Sequence, residues 1–244
     1  MDIADHIKSL DREGQLLAAA AERARTDAAV PTCPDWQVRD LLLHTGTVHR
    51  WATGFVADGH TTRRPLGAEP DLDGEELLTW FREGHAALVS ALQEAPADLE
   101  CWTFMRAPSP LAFWARRQAH ETAIHRMDAE AAAGVQLSAL EPEFAADGID
   151  ELLRLFHARP RSQVRSDVPK TLRVRASDTG AVWTSRLTSE PSQTVLGEEG
   201  AADCELTGPA EQLYAALWNR LPLSTATMTG DSALTELWRE KSGI

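Results

Sequence analysis

Apolar residues recur at steps of three and four along the first two-thirds of the chain, then alternate with polar ones at steps of two. The first spacing predicts helices over residues 3–26, 35–57, 73–95 and 109–134, with a fifth near 143–158. Breaks rich in Pro and Gly separate them at Pro31 to Pro34, Gly59 to Pro70 and Pro96. The second spacing predicts strands at Leu172–Arg175, Val182–Leu187 and Cys204–Leu206. Two short helices follow. One opens at Gly208-Pro209, where proline suits a first helical turn, and the other opens at Asp231, a good N-cap. The pattern predicts an α+β chain: a helical bundle over residues 1–160, then a small α/β domain over 161–244.

Composition narrows the function. The chain has 244 residues, 43% of them apolar, which is enough for a substantial core. A formal charge of −13 argues against nucleic acid or an anionic membrane as the main partner. No apolar run approaches the roughly 18 residues of a membrane span, and the acidic start Met1-Asp2-Ile3 lacks the layout of a signal peptide. Cys33, Cys101 and Cys204 are scattered and form neither a disulfide framework nor a CxxC knuckle. These features predict a cytoplasmic protein that acts on small molecules, as monomer or homodimer.

The candidate chemistry lies in His120-Glu121-Thr122-Ala123-Ile124-His125. Glu121 and His125, four residues apart, stack on one face of a helix. With His44 they make two imidazoles and one carboxylate, a donor set that suits zinc or another divalent metal and leaves a coordination position open. The spacing is HExxxH rather than the HExxH of zinc proteases. On the second helix His44 shares an arc with Leu43, Thr47, Trp51 and Phe55, whereas His49 projects to the other side. On the fourth, Trp114, Gln118, Glu121, His125 and Asp128 form a polar stripe beside an apolar wedge of Phe113, Ile124 and Met127. Asp128 is placed to hold an imidazole nitrogen of His125. His120, 100° from Glu121, is expected to face away. Spacing alone also fits a solvated helix face for Glu121 and His125, and a packed core histidine for His44 or His85. Trp36, Trp51 and Phe55 read as core, and Cys33 between Thr32 and Pro34 as part of a turn.

Val30-Pro31-Thr32-Cys33-Pro34-Asp35-Trp36 through His44 to Trp51 resembles the second-helix signature of the mycothiol-dependent maleylpyruvate isomerase family of actinobacteria. The segment from Trp114 through His120-Glu121 and His125 to Glu130 is similar to its fourth-helix signature. Leu206 to Asp231, including Trp218-Asn219-Arg220, is similar to its C-terminal domain. The resemblance implies a DinB-like four-helix bundle followed by a sterol-carrier-like α/β domain. It further implies zinc held by His44, Glu121 and His125, and mycothiol as the thiol cofactor. A free thiol with pKa near 8.5 is mostly protonated at neutral pH, and a divalent cation removes that proton. The thiolate would add to an electrophilic carbon. In the isomerase the adduct rotates about a former cis double bond and expels the thiol; in S-transferase relatives the adduct is the product. Arg220 occupies the position of an arginine that grips substrate carboxylate, although Asn219 stands where a small residue is expected. Two other classes stay open on the residues: a metal-dependent hydrolase using the same site, and a metal-free carrier of a small apolar ligand.

Overall fold

The computed structural model describes residues 1–243. The chain forms two compact units, Met1–Ser138 and Ala139 onward. The division expected near residue 160 thus falls inside the second unit, which also takes in the fifth helix.

The first unit is a four-helix bundle of α1 (Ile3–Ala24), α2 (Val38–Asp58), α3 (Gly74–Glu94) and α4 (Pro110–Ala132). Local chemistry sets the helix starts. Asp2 and Asp5 each accept the other's backbone N–H, at 2.8 and 2.9 Å. The Asp40 carboxylate accepts from the Gln37 N–H at 2.8 Å. Ser109 Oγ accepts from Ala112 N–H at 3.1 Å ahead of Pro110. Leu10, Leu17, Leu41, Leu42, Phe81 and Leu88 are fully excluded from water and fill the core.

α4 departs from the sequence expectation. It is not a helix with one apolar wedge and one polar border, because it is buried around most of its circumference, from Leu111 through Glu130. Several polar residues on its inner faces pair inside the bundle. Arg126, fully buried, donates to Glu13 at 2.7 Å and to Glu130 at 2.6 Å. His120, expected to face outward, is also fully buried, its ring 6.0 Å from that of His6. His49 is likewise inside rather than outside: it is fully buried and shares a 2.9 Å hydrogen bond with Thr122 Oγ. Burial, then the charge of His85, holds His49 well below its usual pKa, hence neutral. His85 is packed, bonded to the Leu10 carbonyl at 3.0 Å. Gly14 makes room for it, since a Cβ there would overlap the imidazole.

The second unit begins with α5 (Pro142–Asp150), which continues as a π-helical turn over Glu151–Phe156. A five-stranded sheet follows in the order β3-β2-β1-β4-β5, from β1 (Lys170–Ala176), β2 (Val182–Leu187), β3 (Gln193–Leu196), β4 (Cys204–Gly208) and β5 (Thr227–Gly230). Only β1 and β4 pair in parallel, with Val174 opposite Leu206. The short edge strands β3 and β5 carry exposed residues at nearly every position, so the alternation that marks a half-buried strand is missing from them. α6 (Ala210–Leu217) packs on α5 and against β4 and β1, and α7 (Ala233–Lys241) closes the unit. α7 starts one residue later than expected. Ser232 is its N-cap, while Asp231 Oδ1 accepts from Ala233 N–H at 3.1 Å and Oδ2 pairs with Lys170 at 2.9 Å.

Candidate functional site

α2 and α4 bring the three expected ligands together. One donor atom from each of His44, Glu121 and His125 lies within 4.8 Å of the others. Glu121 Oε1 is 3.6 Å from His44 Nε2 and 3.4 Å from His125 Nε2. The imidazole centroids are 5.2 Å apart, nearly edge to face. Glu121 retains a quarter of its side-chain exposure and His44 somewhat more, whereas His125 keeps 11%. The site thus opens at the rim of the bundle, with His125 as its deepest member.

The surroundings orient each donor. Asp128 Oδ2 binds His125 Nδ1 at 3.0 Å, which turns Nε2 toward Glu121. Thr32 Oγ donates to Asp128 Oδ1 at 2.5 Å, and Cys33 Sγ lies 3.9 Å from Oδ2. The segment expected to be a plain turn therefore braces the carboxylate behind His125. Arg117 Nη2, nearly fully buried, takes the second Glu121 oxygen at 3.1 Å. One oxygen of Glu121 is thereby committed to arginine and the other faces the two imidazoles. Trp36 packs against both, with centroids 5.1 Å from His44 and 6.1 Å from His125. It forms the apolar wall of the site rather than plain core.

The electrostatics match a cation site. Burial opposes ionisation of Glu121, but hydrogen bonds from His125 and His44 and the Arg117 charge outweigh it, holding the carboxyl well below its ordinary range. Burial likewise disfavours a charged His125, yet hydrogen bonds to Asp128 and Glu121 lift its pKa to about 9. The raised value favours a protonated His125 beside these two carboxylates at neutral pH. Two imidazoles, one carboxylate and an acceptor on the far nitrogen of His125 fit a catalytic zinc-type set. Asp128→Asn should leave the fold intact and weaken metal binding roughly 10–100-fold. A chelator-competition titration checks this, and equal affinity would refute the bracing role.

The sequence pattern of the mycothiol maleylpyruvate isomerase N-terminal domain matches residues 8–130, and that of the MDMPI C-terminal domain matches residues 143–237. The chain belongs to the mycothiol maleylpyruvate isomerase family. Among solved structures it is similar to a crystal structure of the mycothiol-dependent maleylpyruvate isomerase carrying a histidine-to-alanine mutation. That likeness has a TM-score of 0.65 at 11% identity and covers 94% of this chain and 93% of the other. A second crystal structure of that isomerase aligns with a TM-score of 0.60 at 13% identity over 88% of each chain. No curated protein matches it by sequence. At these identities the structural likeness speaks for the fold, so the site in this family member rests on its own geometry.

Arg220 lies just past α6 in the second unit. It is half-buried, and its Nη1 donates to the Trp218 carbonyl at 2.8 Å. It lines a recess of about 460 Å³ together with Leu221, Glu236 and Arg239. Asn219 has a physical reason to stand before it. Its φ is 59°, the left-handed value that ends a helix. The Arg220 and Asn219 N–H groups close back on the carbonyls of Ala215 and Ala216, at 2.8 and 3.0 Å. Asparagine is one of the few residues other than glycine that adopt that conformation, because its short polar side chain can hydrogen-bond locally.

Two contributors escape sequence reasoning. Arg117 is four residues before Glu121, and that spacing is a usable signal for an ion pair. Thr32 carries none, since its partner Asp128 is 96 positions away.

Proposed function

We propose that this protein is a metal-dependent enzyme that uses mycothiol on an electrophilic small molecule, either isomerising it or conjugating it. The convergence of His44, Glu121 and His125 on one point, with Asp128 behind His125, carries the proposal. Membership of the mycothiol maleylpyruvate isomerase family supports the choice of thiol and of isomerisation. Zinc suits the donor set best, and when bound it would keep a coordinated thiol deprotonated at neutral pH.

The chain's own residues supply the rest. Asp128 fixes the tautomer of His125, and Glu121 offsets positive charge with one oxygen while Arg117 steadies the other. Trp36 keeps water from one side of the imidazoles. Arg220 serves as the anchor for a substrate carboxylate, which its planar fork binds in two places. The same geometry serves isomerase and S-transferase, which differ in whether the thiol leaves.

The deciding assay uses zinc-loaded protein with maleylpyruvate, with and without mycothiol. Conversion that requires both metal and thiol is the expected result. Thiol-independent turnover that yields cleavage products would replace the proposal with a hydrolase. Arg220→Ala should lower kcat/KM for carboxylate substrates at least about 10–100-fold, since each charge-assisted hydrogen bond lost costs about 1.5–3 kcal/mol. Unchanged kinetics would remove Arg220 from the site.

A further inference from the structure

The N-terminal unit holds a second feature that the metal site does not use. A cavity of about 280 Å³ is lined by Arg50, Trp51, Phe55, His60, Arg64 and Trp80 among others. Thr47, Trp51 and Phe55 fall within about 60° of His44 on α2 and lie up to three turns further along it. Among the described residues no carboxylate lines the cavity, in a chain whose net charge is −13.

Arg50 is built into the wall. Its guanidinium stacks on Trp80, 3.8 Å from the ring centroid, and donates to the carbonyls of Gly46 at 3.2 Å and Trp80 at 2.6 Å. Gly84 leaves space for it, since a Cβ there would take the guanidinium's place, and Gly46 does the same for the Trp80 ring. Two of its five N–H donors are thus spent on carbonyls, and among the described residues no carboxylate pairs with it. Its nearest charged influence is the exposed Glu83, which forms no ion pair with it, and burial pulls its pKa down. Arg64 is exposed and equally without a carboxylate partner among the described residues, while its carbonyl accepts from Trp51 Nε1 at 3.0 Å. His60 Nε2 lies 3.6 Å from Asp58 Oδ2.

A half-buried guanidinium that is rigidly held on one indole face and has no carboxylate partner among the described residues is a favourable place for an anion. We propose that this cavity binds a small planar carboxylate, with Arg50 gripping the carboxylate and Trp51 and Trp80 flanking the flat apolar body. The proposal rests on the functional reading above only in taking that molecule as part of a substrate. Binding itself needs neither metal nor turnover, so the two can fail separately.

Benzoate and its neutral isostere benzamide are the probes, titrated by calorimetry and by tryptophan fluorescence against the 244-residue chain in an Arg220→Ala background. Benzoate should bind at least tenfold more tightly than benzamide. Arg50→Gln, which keeps donors for the two carbonyls but loses the charge, should bring benzoate down to the benzamide level. Equal affinity for the two probes overturns the proposal, as does an Arg50→Gln protein that binds benzoate like its parent. Should Arg50→Gln not fold, Trp51→Phe carries the test. A several-fold loss of benzoate affinity then supports the site, and unchanged affinity refutes it.

Discussion

Glu121→Ala should strip the protein of metal and abolish activity towards every electrophile it accepts. The carboxylate is the only negative ligand of the proposed set, and its Oε1 lies between both imidazole nitrogens. Losing a residue that merely orients a ligand costs about 10–100-fold in affinity, so losing the charged ligand itself should exceed ~100-fold. The pH dependence follows from His125. With its pKa raised to about 9 in the metal-free protein, a proton must leave before metal enters. Apparent affinity should rise roughly tenfold per pH unit from 7 to 9 and level off above, with close to one proton released per metal bound. In the metal-free protein the sign for stability is opposite. The raised His125 stabilises fully below about 6.5 and loses that contribution as pH rises through about 9. Elemental analysis and chelator competition across pH test the whole set. Equal metal in Glu121→Ala and wild type would refute the site.

Arg126→Ala should destabilise the bundle severely. It leaves Glu13 and Glu130, 1% and 3% exposed, with no cation between them. Breaking a buried pair by removing one partner costs about 3–5 kcal/mol. In a bundle of this size that is on the order of 10–20 °C in melting temperature. Burial already lifts the Glu13 pKa despite the pull of Arg126, and removing Arg126 lifts it further. Protonation at low pH relieves the penalty, so the deficit should be larger at pH 8 than at pH 5. Thermal denaturation at both values checks the size and the sign.

The same residues show what a linear reading can and cannot reach. His44, Glu121, His125 and Asp128 are legible because helical spacing puts three of them on one stripe, and because a histidine within an apolar arc needs a partner. The four bundle helices are legible from periodicity. His120 and His49 defeat that reading for one reason. Periodicity assumes that polar residues face water, whereas α2 and α4 turn these two histidines into the bundle, where His49 bonds Thr122. Strands β3 and β5 leave no trace in the pattern because edge strands four residues long carry almost no buried positions to create alternation. The brace of Thr32 on Asp128 joins residues far apart in the chain, which no local pattern encodes. Asn219, a departure from the expected small residue beside Arg220, is a helix stop.

The central place of α4 has a consequence for motion. A helix enclosed on nearly all sides can exchange its amide protons only when the bundle opens as a whole, so its opening free energy approaches that of global unfolding. Glu121, His125 and Asp128 all ride on that helix. The exposed segment from residue 59 to 73, which carries Arg64, lies at the opposite extreme, with few buried contacts to hold it. Such a segment is expected to open locally at far lower cost than α4. Hydrogen exchange should therefore be slowest along α4 and fastest across residues 59–73.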